Sequence, residues 1–264
     1  MHIRPIITLF LIVGISFCSP LPAQNSGPYY LSAKRDLWYG AAGVSSLLVG
    51  EYLRSKTPEL TIQDLDIDEI NQFDRVATRM SSGEAAEWSD IMLYSSIGLT
   101  GALLLGEKTR NDFGRITILF LETMAINGGI TNIHKSSYLR PRPYVFHDNW
   151  NPEQILSSGD RASFVSGHTS GSAAGAFFFA KVFSDYYPDS KLKPYVWVVA
   201  ISLPALTGYL RVRAGRHYPT DVIAGYIMGA GIGILVPALH KKPINERKLT
   251  LAPTGNGVIL GYRF

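Results

Sequence analysis

Apolar and polar stretches alternate along this 264-residue chain with the spacing of a helical bundle. The apolar runs have about one bilayer-crossing length or slightly less, and short polar or basic segments separate them. A run at residues 37–49 is apolar too, but the pattern leaves its place open. The sequence therefore predicts an all-α fold, a bundle of about six main helices, with helices over residues 91–106, 116–130, 173–183, 195–209 and 222–239.

The two ends of the chain differ from this pattern. Residues 1–24 have a basic start, an apolar run and a small-residue exit near Ala23, which indicates a signal peptide or an N-terminal membrane segment. Residues 244–264 alternate in polarity around Thr254-Gly-Asn-Gly257, which predicts a short C-terminal β-hairpin tail. Between them we expect an N-terminal helical region at 25–88, with an amphipathic helix from residue 71, and a catalytic helical core at 89–243.

Composition bears on whether the bundle lies in a membrane and on what it binds. Hydrophobic residues make up 46% of the chain and charged residues 17%, below the roughly 25% of soluble domains. Mean hydropathy is only +0.09, so both a membrane-embedded bundle and a soluble periplasmic bundle stay open. The net charge of +4 is concentrated in three motif clusters and the tail. This distribution favours an anion site with membrane-flanking charge, and no nucleic-acid partner is expected.

The basic segments predict an orientation. If the N-terminal segment crosses outward and residues 37–49 stay peripheral, residues 107–110, 190–193 and 240–248 all lie on the inner side. The three motif clusters then face outward. The expected location is the cell envelope, either the inner membrane with a periplasm-facing site or the periplasm itself.

Three basic clusters in the second half of the chain carry the candidate chemistry. Lys135, Arg142 and Arg211 lie on separate segments, so they can surround one phosphate, and the planar arginine fork binds two oxygens at once. A small-residue run after His168 is typical of a helix N-terminus, whose N–H groups bind anions. The clusters are Lys135-Ser-Ser-Tyr-Leu-Arg-Pro-Arg142-Pro143, Ser163-Phe-Val-Ser166-Gly167-His168-Thr169 and Arg211-Val-Arg-Ala-Gly-Arg-His217-Tyr-Pro-Thr-Asp221.

The two histidines of these clusters have different expected roles. His217 and Asp221 are four residues apart, and they come close together if Pro219 begins a helix. A carboxylate that accepts from one ring nitrogen fixes the tautomer and leaves the other nitrogen as a nucleophile. His168 is then the candidate general acid. This set of groups predicts phosphoryl transfer with no metal and no cofactor.

In order and spacing the clusters resemble the type 2 phosphatidic acid phosphatase (PAP2) superfamily, which also includes vanadium haloperoxidases. The family pattern is Lys-x6-Arg-Pro, then Pro-Ser-Gly-His, then Ser-Arg-x5-His-x3-Asp. Val165 stands in place of the proline of the second motif, and Leu210 stands in place of the serine of the third motif. The other motif positions match. The resemblance covers roughly residues 90 to 240. It implies a phosphohistidine on His217, oriented by Asp221, with His168 as general acid and with phosphate bound by Lys135, Arg142, Arg211, Ser166 and the Gly167 N–H.

The expected activity is that of a metal-independent phosphatase. Its expected substrate is a membrane-lipid phosphate: phosphatidate, phosphatidylglycerophosphate, a polyprenyl diphosphate or lipid A. Three alternatives stay open. They are a soluble periplasmic acid phosphatase acting on small phosphate esters, a vanadium haloperoxidase, and a non-catalytic membrane bundle whose clusters bind anionic headgroups.

Overall fold

The computed structural model describes residues 27–147, 157–242, 249–254 and 257–262. In this part of the chain six helices of 16 or more residues form a bundle, which confirms the predicted fold class. One short helix, α3, precedes the longest helix. In chain order the helices are α1 (Ala33–Ser55), α2 (Gly83–Gly98), α3 (Glu107–Asn111), α4 (Phe113–Tyr138), α5 (Gly167–Tyr186), α6 (Lys193–Arg213) and α7 (Pro219–Leu239).

The long helices run alternately between two ends of the bundle. At the motif end, the Ser82 N–H before α2 donates to the Arg213 carbonyl at the end of α6 (3.2 Å). At the opposite end, the Lys242 N–H after α7 donates to the Pro28 carbonyl before α1 (2.8 Å). The ends of α4 and α6 and the starts of α5 and α7 therefore meet at the motif end. These segments carry the three clusters.

Helix α5 is the centre of the bundle, with 14 of its 20 residues buried. Helix α7 lies close against it because glycines recur every four residues along the contact. A Cβ on Gly225 would lie 2.6 Å from the Ser166 carbonyl oxygen, and one on Gly229 would lie 2.1 Å from the Ser170 carbonyl oxygen. Only glycine permits this approach. The contact fixes the start of α7 beside the start of α5.

The apolar run at residues 37–49, whose place the sequence left open, is part of the bundle. It forms the middle of α1, which packs alongside α4 in the same direction. Gly43 and Gly50 let the backbones approach at Ala125 and Asn132. The proposed boundary at residue 88 falls inside α2. The predicted segment at residues 1–24 lies outside the described residues.

Residues 56–82 cover the motif end with short turns instead of the amphipathic helix expected from residue 71. The reason is Asp74, whose buried carboxylate points inward and accepts from the Thr220 N–H (3.0 Å) and from Arg140 (2.7 Å). The expected helix is replaced by a 3₁₀ turn at Arg75–Arg79, and two further 3₁₀ turns, at Ile62–Asp64 and Ile67–Glu69, precede it.

Among the described residues, four helical segments are long and apolar enough to cross a membrane, and between 22% and 44% of their apolar windows is buried inside the bundle. The remainder faces outward, as expected of helices in lipid. The segments are Gly83–Leu105, Phe113–Phe146, Lys193–Arg213 and Pro219–Leu239. Beyond the bundle, β1 (Leu249–Thr254) and β2 (Gly257–Tyr262) pair antiparallel with Thr254 opposite Gly257, which is the predicted hairpin.

Candidate active site

The segment between α6 and α7 delivers His217 to the motif end. Gly215 has a positive φ of 65°, and its backbone approaches Met80 so closely that a Cβ would lie 2.1 Å from the Met80 carbonyl oxygen. Pro219 then occupies the first position of α7, as the sequence predicts. This tight turn places His217 and Asp221 in the same buried region, where both are at most 1% exposed.

The His217 ring is held by the backbone of Ser163. Its Nδ1 lies 2.8 Å from the Ser163 carbonyl oxygen and 3.7 Å from the Asp221 carboxylate. The expected direct hydrogen bond from His217 to Asp221 is therefore replaced by one to a carbonyl. Because a carbonyl only accepts, Nδ1 carries the proton and Nε2 keeps its lone pair. The tautomer is the one a nucleophilic Nε2 requires.

Asp221 organises the surroundings of His217. Its carboxylate accepts from the Ser163 hydroxyl (2.6 Å) and from the Tyr218 N–H (3.0 Å). Its second oxygen accepts from Arg140. The Asp221 carbonyl also accepts from the Ser166 N–H (3.0 Å), which joins the second and third clusters. Asp221 thus fixes Ser163, and Ser163 fixes the ring.

Arg140 is a site residue that the motif pattern missed. One end of its guanidinium binds Asp221 and Thr220, and the other binds Asp74. Its plane lies over the Tyr218 ring, 3.9 Å from the ring centroid. Arg140 occupies a spacer position between Lys135 and Arg142, and Asp74 lies 66 residues earlier, so no spacing in the sequence indicated the contact.

The second histidine is paired with another residue that the sequence did not identify. His168 Nε2 lies 2.7 Å from an Asp90 carboxylate oxygen of α2. The Arg211 guanidinium donates to the Ser89 hydroxyl (3.2 Å) and lies 3.9 Å from Asp90. Burial, and then the charge of Arg211, lower the pKa of His168 to about 4, while Asp90 opposes this shift.

The predicted cations converge on His217. Burial lowers the pKa of His217 well below its usual value, and the charges of Arg142, Lys135 and Arg211 lower it further. All three cations therefore act on one ring, although they come from separate segments. Neutral His217 is stable well into the acidic range, which a nucleophile needs.

The start of α5 lies beside the same cations, as expected of the predicted phosphate site. Ser166 is the N-cap residue, and its hydroxyl contacts the Thr169 hydroxyl (2.9 Å) and accepts from the Thr169 N–H (3.4 Å). A Cβ added to Gly167 would lie 3.6 Å from Lys135 Nζ. The first N–H groups of α5 thus lie beside the Lys135 ammonium group. Helix dipole and lysine favour an anion at the same place.

A cleft of about 280 Å³ opens beside these cations, between α1, the end of α4 and the loop before α5. Lys135 and Arg142 line it together with Glu51, Arg54 and Asn132. Arg142 is positioned there by its own contact, since its Nε donates to the Gly159 carbonyl (3.0 Å). The cleft leads from the cations toward the outer part of the bundle.

Residues 116–244 match the model of the PAP2 superfamily. The chain is 37% identical over 115 residues to the lipid A 1-phosphatase of Rhizobium johnstonii, covering 43% of each chain. It is 30% identical over 143 residues to the undecaprenyl-diphosphatase of Sulfolobus acidocaldarius (54% of this chain, 62% of that one), and 32% identical over 154 residues to the lipid A 4'-phosphatase of Porphyromonas gingivalis (58% and 61%).

The chain thus spans between about two fifths and three fifths of the length of these relatives. The family match includes all three clusters, from Lys135 to Asp221. The order of the clusters and the meeting of their side chains at one end of the bundle agree with this match. Residues 116–244 of this chain are therefore a PAP2 superfamily domain.

Proposed function

We propose that this protein is a membrane phosphatase that hydrolyses the phosphate group of a lipid through a phosphohistidine intermediate. The observation that carries the proposal is the arrangement of His217 among three cations. Its Nδ1 is held by the Ser163 carbonyl, so the lone pair of Nε2 is available for attack on phosphorus.

In the first step the phosphate is held by Lys135, Arg142 and Arg211 beside the start of α5. These groups neutralise the equatorial oxygens, whose need for positive charge grows in the transition state. His217 Nε2 forms the bond to phosphorus as the bond to the leaving oxygen breaks. The proton that the leaving alcohol or phosphate requires comes from His168.

In the second step water attacks the phosphohistidine. His168, now neutral, accepts the proton of the attacking water, and inorganic phosphate leaves with His217 restored. Asp90 stabilises His168 whenever it carries the proton. The dianionic substrate also stabilises protonated His168. Its negative charge raises the His168 pKa above the value of about 4 that it has in the protein alone.

A lipid substrate agrees with the bundle and with the relatives. The four helical segments that are long and apolar enough to cross a membrane, together with the exposed apolar face of α1, support an active site at the end of a membrane bundle. Two of the relatives named above are lipid A phosphatases and one is an undecaprenyl-diphosphatase. We therefore favour lipid A or a polyprenyl diphosphate over phosphatidate and phosphatidylglycerophosphate.

The orientation is also part of the proposal. The short connections at the end of the bundle opposite the motifs carry basic residues, and basic loops favour the cytoplasmic side. This orientation requires α1 to begin on the cytoplasmic side, so it rests on the basic connections and not on an outward crossing by the N-terminal segment. The active site then faces the periplasm. The residues concerned are Lys108, Arg110, Lys191, Lys193, Lys241 and Lys242.

The test is phosphate release by the full-length protein in detergent, measured on lipid A, undecaprenyl diphosphate, phosphatidate and a soluble aryl phosphate. We expect turnover of at least one lipid and inhibition by orthovanadate. Because His217→Ala removes the nucleophile, we expect this variant to lose activity by a factor on the order of 1,000 or more. Unchanged turnover in His217→Ala would contradict the mechanism. Lipid binding without turnover would support the non-catalytic alternative, and vanadate-dependent bromide oxidation would support a haloperoxidase.

A further inference from the structure

A second cluster of buried titratable groups lies at the end of the bundle opposite the motifs. It consists of Asp36 in the first turn of α1, Glu122 in α4 and His240 directly after α7. Glu122 precedes Lys135 by 13 residues of the same helix, which is about 20 Å along the helix axis. The proposed reaction uses none of these residues.

The three side chains converge on one point. His240 Nε2 lies 3.1 Å from Glu122 Oε2 and 3.2 Å from Asp36 Oδ1, and the three ligand atoms all lie within 4.8 Å of one another. Metal–ligand bonds of about 2.1 Å separate neighbouring ligand atoms by about 3.0 Å in octahedral and 3.4 Å in tetrahedral geometry. The two separations from His240 Nε2 fall in this range.

The backbone fixes which nitrogen of His240 faces the carboxylates. Its Nδ1 lies 2.8 Å from the Val236 carbonyl oxygen and therefore carries a proton. In a neutral ring Nε2 then presents its lone pair to two carboxylate oxygens. A histidine ligand with its other N–H on a backbone carbonyl is the usual arrangement at protein metal sites.

Two atoms of the cluster are buried without a hydrogen bond. His240 is fully buried and Glu122 is 6% exposed, yet neither His240 Nε2 nor Glu122 Oε2 makes a hydrogen bond of acceptable geometry within the described residues. Such atoms cost free energy unless something else satisfies them. Both point into the space between the three side chains, where a cation would satisfy them together.

The surroundings leave negative charge to be neutralised. Arg35 Nε donates to Asp36 Oδ1 (2.9 Å), and the Ser32 N–H donates to Asp36 Oδ2 (2.7 Å). Two carboxylates against one guanidinium leave one excess negative charge for a cation to neutralise. The Tyr39 ring packs edge-on against His240, 5.5 Å between ring centroids, and excludes water from that side.

We propose that Asp36, Glu122 and His240 bind a divalent transition-metal cation such as Zn²⁺ or Mn²⁺. One imidazole with two carboxylates suits these ions, whereas Mg²⁺ and Ca²⁺ favour all-oxygen sites. The cation joins α1 to α4 and to the end of α7, at the end of the bundle remote from the reaction. Its role is to hold α1 in place, and it takes no part in phosphoryl transfer.

The experiment uses the full-length protein in detergent, stripped with EDTA and then titrated with Zn²⁺, Mn²⁺ or Mg²⁺. We expect about one equivalent of Zn²⁺ or Mn²⁺ to remain after desalting, and the unfolding temperature to rise by about 5 °C at a hundredfold excess over Kd. Mg²⁺ should produce neither effect. His240→Gln and Glu122→Gln should lose both the bound metal and the shift.

His134→Gln is the matched control, because His134 Nδ1 also lies 2.8 Å from the carbonyl four residues earlier but the described residues offer it no carboxylate ion pair. It should keep the metal and the shift. The proposal is overturned if the unmutated protein retains no stoichiometric metal. That result would mean that a protonated His240 forms ion pairs with the two carboxylates. Equal metal retention in His240→Gln would also overturn it. If a variant does not fold, metal content and shift in the unmutated protein decide alone.

Discussion

Arg140 donates to Asp221 and, from the other side of its guanidinium, to Asp74 at 2.7 Å. Both carboxylates are fully buried, whereas the Arg140 side chain is 24% exposed. The guanidinium compensates the desolvation of two charges and sets the direction of Asp221. The residue that aligns the candidate nucleophile is thus itself aligned by a residue outside the family motif.

Replacement of Arg140 by methionine should lower kcat about 10- to 100-fold, as loss of a residue that positions a reactive side chain often does. KM should change little, because Arg140 does not contact the phosphate site. Arg140→Lys should restore only part of the activity, since one ammonium cannot replace a fork that binds two carboxylates. Steady-state kinetics on a lipid phosphate would measure both values.

Arg115→Met is the control for this variant. Arg115 forms a partly buried ion pair with Asp112 at the opposite end of the bundle. If it lowers kcat as much as Arg140→Met does, the effect of Arg140 is only loss of stability.

Asp90→Asn should weaken the general acid. The carboxylate of Asp90 raises the pKa of His168, against burial and the charge of Arg211. Without it the His168 pKa falls further, so the proton is lost at a lower pH. The alkaline limb of the kcat profile should then move down by about one pH unit.

The leaving group provides a second check on Asp90. p-Nitrophenolate leaves without a proton, so Asp90→Asn should reduce hydrolysis of a lipid phosphate more than hydrolysis of p-nitrophenyl phosphate. Glu87→Gln, on an exposed position one turn earlier in α2, is the control and should change neither rate. Equal losses on both substrates would argue against a role through His168.

The sequence predicted the site residues that stand in the three motifs and missed those that lie outside the motif positions. Lys135, Arg142, His168 and His217 stand at spacings that a linear pattern can recognise. Arg140 and Asp90 carry no such spacing, because their partners are 81 and 78 residues away. The predicted contact between His217 and Asp221 was too direct, since the Ser163 carbonyl takes the ring nitrogen.

The fold shows the same division. Long apolar runs predicted the helices of the bundle, and their number was correct. The place of α1 was not predicted, because it depends on glycines at positions 43 and 50 that fit against α4. The turns over the motif end depend on the burial of Asp74, which only the folded chain shows.

Gly229→Ala should destabilise the bundle. Its Cβ would lie 2.1 Å from the Ser170 carbonyl oxygen, so α7 must move away from α5, at a cost of about 1 to 3 kcal/mol. Gly231→Ala on the same helix meets no atom within 4 Å and should be neutral or stabilising, by up to about 1 kcal/mol. Thermal unfolding in detergent would measure both, and equal unfolding temperatures would contradict the tight contact.

The proposed orientation predicts which exposed positions a membrane-impermeant maleimide can reach. Cys18 is the chain's only cysteine, so Cys18→Ser gives a background without thiols. In intact cells Glu59→Cys, exposed at the motif end, should be labelled. Lys191→Cys, exposed at the opposite end, should react only after the membrane is permeabilised.

The two positions act as controls for each other, because both cysteines must react in permeabilised cells. The physical reason is the basic residues of the opposite end, which the proposed orientation keeps on the cytoplasmic side. The reverse labelling pattern would place the phosphate site in the cytoplasm. Lipid phosphates exposed only on the outer leaflet would then be out of reach, and the substrate would have to be sought among lipids of the inner leaflet.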